Sequence, residues 1–173
     1  MINKWNFQTP TEEELRKRDA LAAEIGFSPI ICLLLVQRGI TTAEEARKFF
    51  KPNLGDLHDP FLMPDMDKAV KRLNKALGNK EKILVYGDYD VDGTTAVSLV
   101  FKYLRPYSST LDYYIPDRYD EGYGISYKGI NYAHENGVTL IISLDCGIKA
   151  IEKIEYAKEK GIDFIICEIG RAS

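Results

Sequence analysis

Apolar and polar positions follow two rhythms along this chain, a helical one up to about residue 78 and an alternation of short strands and helices after it. Thr11 with Glu14 forms a capping box ahead of a helix over 12–25. Ser28-Pro29 opens a short apolar helix that Gly39 ends, and Thr42 with Glu45 caps a third. Pro52 and Pro60 bound a loop. Met66, Val70, Leu73 and Leu77 then recur at spacings of four, three and four, an apolar stripe that predicts an amphipathic helix over 65–77 with Gly78 as its stop.

From Lys82 the pattern predicts strand 82–86, helix 94–104, strand 111–115, helix 127–135, strand 139–144, helix 148–159 and strand 163–167. This βαβαβαβ string implies an α/β fold: a mostly parallel, doubly wound sheet with right-handed crossovers, preceded by an α-helical N-terminal segment. Ligands of such sheets bind at the carboxyl ends of the strands. The expected organisation is a helical segment over 1–78 and the first part of an α/β domain over 79–167. A sheet that stopped on strand 163–167 would leave an apolar strand with no following helix, so the natural polypeptide is expected to continue. The patternless residues 168–173 read as a candidate non-native tail.

The apolar run Ile83-Leu-Val-Tyr-Gly87 stops on Asp88, Asp90 and Asp92, followed by Gly93. Carboxylates two residues apart repel one another, and a chain that gathers them at a strand mouth commonly does so to hold a divalent cation. Three chemistries compete for Asp88-Tyr-Asp-Val-Asp-Gly-Thr94. An EF-hand loop matches at its start, but its twelfth position wants Glu and here is Leu99. A haloacid-dehalogenase-type phosphatase would use Asp90 as nucleophile and Asp92 as acid. A two-metal phosphoesterase also uses Asp88 and asks for a further carboxylate at a neighbouring strand end, which Asp145 supplies.

Composition narrows the setting. With 173 residues and 45% hydrophobic content the chain can bury a core, and its formal net charge of −3 neither demands nor excludes a nucleic-acid partner. Cys32, Cys146 and Cys167 are odd in number and form no Cys-x-x-Cys, which suits a reducing cytoplasm. The longest apolar run, Ile30–Val36, is far short of the roughly 20 residues that span a bilayer, so no membrane association is expected.

Three segments in order, Val85-Tyr-Gly-Asp-Tyr-Asp-Val-Asp-Gly-Thr94, Tyr114-Ile-Pro-Asp-Arg-Tyr-Asp-Glu-Gly-Tyr-Gly-Ile125 and Leu144-Asp-Cys-Gly-Ile148, resemble motifs of the DHH phosphoesterase superfamily, in the wording of its RecJ branch of single-strand-specific DNA exonucleases. The preface, with Gln37-Arg-Gly-Ile40, Phe49-Phe-Lys-Pro52 and Asp59-Pro-Phe-Leu-Met63, is similar to the same branch. The resemblance implies that Asp90 and Asp92 ligate Mn2+ or Mg2+, with Asp88 as ligand or supporting partner and Asp145 from the second motif. It also implies 5′→3′ hydrolysis of single-stranded DNA in repair and recombination. The departure is equally clear. The family's Asp-His-His follows the strand that here ends at Cys167, where this chain has Glu168-Ile169-Gly170. The two-metal site is therefore expected to be incomplete in this chain, and the chain alone inactive. A catalytically dead nucleic-acid-binding module is the alternative from another class.

Around the aspartates, Gly93, Thr94, Arg118, Tyr123 and Gly124 are the candidate substrate contacts. Thr94 and Thr95 also read as helix N-caps, and Gly87 and Gly93 as backbone requirements. Arg118 in a strand-end loop suits a phosphate. His58 and His134 lack ligand spacing, and Cys146 is too soft for manganese or magnesium. Lys68, Lys71, Arg72 and Lys75 line the polar side of the helix over 65–77, a solvated face or a track for a DNA backbone.

Overall fold

The computed structural model describes residues 9–169, which fall into two compact units divided between Leu62 and Met63. The first holds α1 (Glu12–Ile25), α2 (Pro29–Val36) and α3 (Ala43–Phe50). Both predicted capping boxes form. Glu14 N donates to Thr11 Oγ1 at 3.2 Å while Glu14 Oε2 accepts from Thr11 N at 2.7 Å, and Thr42 with Glu45 repeats the exchange. Leu21, Cys32, Leu35, Val36 and Ala46 bury a small core of their own.

The second unit runs α4 (Met66–Gly78), β1 (Lys82–Gly87), α5 (Val91–Leu104), β2 (Leu111–Tyr114), α6 (Tyr127–Glu135), β3 (Val138–Leu144), α7 (Ile151–Glu159) and β4 (Asp163–Cys167). All strand pairs are parallel and the order is β2-β1-β3-β4. The chain steps from β1 to β2 on one side, then crosses back over β1 to lay β3 on the other. Right-handed crossovers in opposite directions put their helices on opposite faces. Accordingly Val97 and Leu104 of α5 pack with Ala76 of α4 against Ile83, Val85, Leu140 and Ile142. Ile130 and Ala133 of α6 and Ala157 of α7 pack against Leu84, Tyr86 and Ile141. The order reverses between β1 and β3, so the carboxyl ends of those two strands form the crevice where a doubly wound sheet takes its ligand.

Three expectations shift. Helix α4, read from sequence as part of the N-terminal segment, shares a core with the sheet, because Ala76 is fully buried there with Leu73 and Leu77 beside it. Helix α5 starts at Val91, not at 94: the Asp90 carboxylate accepts from Gly93 N at 2.9 Å and is the N-cap, while Thr94 Oγ1 turns back to donate to Asp90 O at 2.7 Å. Helix α7 starts at Ile151, not at 148, because residues 147–150 close a turn in which Ala150 N donates to Gly147 O. Of the suspected tail, residues 170–173 lie outside the described residues. Among the described residues no helix is long and apolar enough to cross a membrane.

Candidate metal and nucleic-acid site at the switch point

The end of β1 is shaped by two glycines. A Cβ on Gly87 would stand 2.3 Å from Val97 Cγ2, and one on Gly93 would stand 2.5 Å from Asp88 O, so helix α5 and strand β1 approach as closely as backbones can. Asp88 follows directly and is fully buried. Its Oδ1 accepts from Gly124 N at 3.3 Å, whereas Oδ2 is buried without a hydrogen-bond partner. Burial raises the Asp88 carboxyl above the ordinary aspartate range, and the negative charge of Asp90 adds to the rise against the bonds from Tyr89 and Gly124 and the charge of Arg118.

Asp145 closes the neighbouring strand β3. It holds a left-handed backbone, φ 57°, that side chains other than Asn and Asp rarely adopt, and its N–H donates to Cys167 O at 2.9 Å. Burial raises its carboxyl, and Asp90, Asp92, Glu168 and Asp88 raise it further. Asp90 and Asp92 are exposed at the start of α5. At the end of β4, Glu168 Oε2 accepts from Ile148 N at 2.6 Å and Oε1 is buried without a partner. The predicted carboxylates therefore gather at one end of the sheet and repel one another.

Among the described residues no three His, Cys, Asp or Glu side chains stand close enough to hold a metal ion. Asp88, Asp90, Asp92 and Asp145 thus crowd one end of the sheet without a ready coordination cage, and one oxygen of Asp90 already accepts from Gly93 N as the cap of α5. The donor set nonetheless fits a hard divalent cation: every acidic group is an oxygen donor, and Asp88 Oδ2 and Glu168 Oε1 are buried acceptors with nothing to accept from. Cys146 does not belong to that set. Burial first, then Asp88, Glu168 and Asp145, push its thiol up to about 12, so it stays protonated and apolar.

The candidate substrate contacts separate into two groups. Gly93 and Thr94 are consumed by helix α5, one N–H and one hydroxyl both given to Asp90. Arg118, Tyr123 and Gly124 sit in the loop between β2 and α6 and face the carboxylates. The Arg118 guanidinium lies 4.9 Å over the Tyr89 ring, Tyr89 meets Tyr123 edge to face at 5.9 Å, and Tyr123 Oη donates to Asp145 O at 3.4 Å. Burial raises the Tyr123 phenol to about 12, with Asp88, Asp90 and Asp145 adding to the rise. Beside these residues a cavity of about 250 Å³ is lined by Tyr123, Gly124, Gly147, Lys149, Lys153 and Glu168.

Sequence reading passed over Tyr89, Tyr86, Glu121 and Ser126. Tyr86 is the polar member of the run Ile83-Leu-Val-Tyr, and a buried phenol needs a partner, which was the available signal. It donates to Gly124 O at 3.0 Å and accepts from Ser126 N at 3.1 Å. Glu121 carried no signal, because its donors come from both ends of its loop.

Comparison with known proteins assigns the chain. The sequence pattern of the DHH family, N-terminal domain, matches residues 82–168, so Glu168 lies inside the domain. The single-stranded-DNA-specific exonuclease RecJ of Bacillus subtilis is 39% identical over 165 residues, covering 95% of this chain and 21% of that protein. RecJ of Escherichia coli is 32% identical over 162 residues, covering 90% of this chain and 27% of the relative. The chain thus spans between a fifth and about a quarter of the length of these relatives. A crystal structure of exonuclease RecJ bound to manganese superposes with a TM-score of 0.54 at 30% identity, over 58% of this chain and 26% of that one. RecJ from Thermus thermophilus in complex with Mn2+ superposes with a TM-score of 0.66 over 94% of this chain and 22% of that one; at 22% identity it shows the shared fold. With half of its residues matched to the family pattern and its carboxylates gathered at the switch point, the chain belongs to the DHH family, as its N-terminal domain.

Proposed function

We propose that this chain is the N-terminal part of a metal-dependent 5′→3′ single-stranded-DNA exonuclease of the RecJ kind, acting in the cytoplasm in DNA repair and recombination. The observation that carries the reading is the pairing of Asp88, buried with one free oxygen, and Asp145, strained and charge-crowded, at the ends of adjacent strands β1 and β3. Supporting it, relatives across 90% or more of the chain are single-stranded-DNA-specific exonucleases, and two solved relatives are described with manganese.

Asp88, Asp90, Asp92 and Asp145 would hold Mn2+ or Mg2+, whose chemistry when bound is to neutralise phosphoryl charge and activate water. Arg118 offers planar donors to a phosphate and is held ready by Tyr89. Tyr123, half exposed, presents a ring on which a base stacks in a sequence-tolerant way. Glu168 keeps a carboxylate where the family's Asp-His-His stands, but Ile169 and Gly170 take the places of the two histidines, and His58 and His134 are both exposed. The chain alone is therefore expected to bind metal weakly and to cleave little or nothing. The missing histidines also favour a second reading, a nucleic-acid-binding module without catalysis.

The full-length protein, incubated with manganese and single-stranded or duplex DNA labelled at either end, is expected to shorten single strands from the 5′ end and to stop doing so on Asp90→Ala. Loss from the 3′ end overturns the polarity. Inert behaviour toward long DNA, with hydrolysis of short oligonucleotides, cyclic dinucleotides or pyrophosphate, replaces the exonuclease reading by that of another DHH phosphoesterase. Binding without hydrolysis of any of these selects the binding module.

A further inference from the structure

The loop over residues 115–126 carries Arg118, Tyr123 and Gly124, yet it is twelve residues without a strand or helix of its own. Something must fix it, since an untethered loop of that length samples many conformations. We infer that Glu121 is the positioning residue that does so. Its carboxylate accepts from Tyr114 Oη through both oxygens, at 3.0 and 2.9 Å, from Asp117 N at 2.8 Å and from Ser126 Oγ at 2.5 Å. Tyr114 is the last residue of β2 and Ser126 is the N-cap of α6. One side chain thus ties together the two ends of the loop and the turn between them.

The turn itself is closed on Asp117, whose carbonyl accepts from Glu121 N and whose carboxylate accepts from Tyr119 N and Asp120 N. Arg118 stands at its apex. From Ser126 the bonds continue inward, Ser126 N to Tyr86 Oη, Tyr86 Oη to Gly124 O, and Gly124 N to Asp88 Oδ1. A continuous hydrogen-bonded line therefore runs from Glu121 to the buried carboxylate of the site. An acceptor-only group suits the position, because every neighbour is a donor. A glutamine amide there would turn donors toward at least one of those donors and break the brace without changing its size.

The structural half of this inference stands on the geometry alone; its consequence for substrate rests on the exonuclease reading, and the test separates them. In the 173-residue chain, trypsin is expected to cut after Arg118 about tenfold faster in Glu121→Gln than in the parent chain, with the urea midpoint little changed. Tyr114→Phe, which keeps the ring and removes one donor, is expected to give a smaller increase and guards against a variant that fails to fold. In the full-length enzyme, Glu121→Gln is expected to raise KM for single-stranded DNA about tenfold while kcat stays within about twofold, and to add nothing in an Arg118→Ala, Tyr123→Ala background. Equal protection of Arg118 in all three chains overturns the brace. An additive effect, or a loss confined to kcat, overturns its role in placing the two contacts. An opened loop in a protein inert toward DNA overturns the exonuclease reading and leaves the brace standing.

Discussion

The two ends of the sheet use the same kinds of charged side chain to opposite effect. At the amino end, Arg72 of α4 donates to Asp163 at 2.6 Å and to Glu81 at 2.8 Å, with Thr139 O at 3.3 Å, while Glu81 also accepts from Thr139 Oγ1. Burial works against both charges, yet Asp163 and Glu81 hold the Arg72 pKa above its usual value, and Arg72 with Thr139 and Asn79 holds Glu81 below its own. At the carboxyl end, burial and like charges push Asp88 and Asp145 the other way. Internally cancelled charge belongs to the fold, and charge left uncancelled at a switch point belongs to a ligand from outside. Of the four basic residues on α4, Arg72 is spent on the starts of β1, β3 and β4, away from the carboxylates, while Lys68, Lys71 and Lys75 stay exposed.

Breaking the amino end is expected to give the largest effect. Arg72→Leu leaves Glu81 and Asp163 without their cation and lowers stability by about 2 kcal/mol, less than a fully buried pair would cost because the group keeps some solvent contact. Urea unfolding with an unchanged slope measures it. A loss too small to resolve would mean that the amino end is as open as the other.

The carboxyl end is expected to respond to metal instead. Manganese at about ten times its dissociation constant is expected to stabilise the chain by about 1.4 kcal/mol, read as a rise in the thermal midpoint. Asp145→Asn removes that rise and Arg72→Leu preserves it. A rise that survives Asp145→Asn places the cation elsewhere.

Charge removal at the buried aspartate sharpens the same point. In chelator, Asp88→Asn is expected to stabilise the chain by up to about 1 kcal/mol, since an amide oxygen can still accept from Gly124 N while the desolvated charge is gone. A net loss of stability in thermal unfolding would show that Asp88 is compensated within the fold.

How much of this was legible follows from the distance between partners. The caps at Thr11, Ser28 and Thr42 were readable because each is satisfied three residues away. The strand–helix alternation and the placing of Asp88 and Asp145 at strand ends were readable from period and chain order. The start of α5 was misread because a Thr pair resembles a cap, while Asp90 reaches Gly93 with the same spacing. The membership of α4 was not readable: an apolar stripe says that a face is buried, not against what. Arg72 was hidden for the same reason, with partners 9, 67 and 91 residues away. Glu121 was hidden because no local pattern marks a carboxylate whose donors close a loop.

Acidity separates the two ends in sign. Glu81 has a folded pKa below its ordinary 4.5, so its contribution is present above that value and is lost as the pH falls through the folded pKa. Asp145 has a folded pKa above its ordinary 3.8, so its contribution is full below 3.8 and is lost as the pH rises through the folded pKa. In chelator at neutral pH, Glu81→Gln should therefore fall below the parent chain in urea midpoint and Asp145→Asn should lie slightly above it, Asn being at ease in the left-handed backbone. Both gaps are expected to close as the pH falls, from opposite sides, the Asp145 gap by the time the pH is below 3.8 and the Glu81 gap once it has passed the folded pKa below 4.5. An Asp145→Asn chain less stable than its parent at neutral pH would mean that the crowded carboxylates are balanced from within, and the division of the sheet into a folding end and a ligand end would fail at that residue.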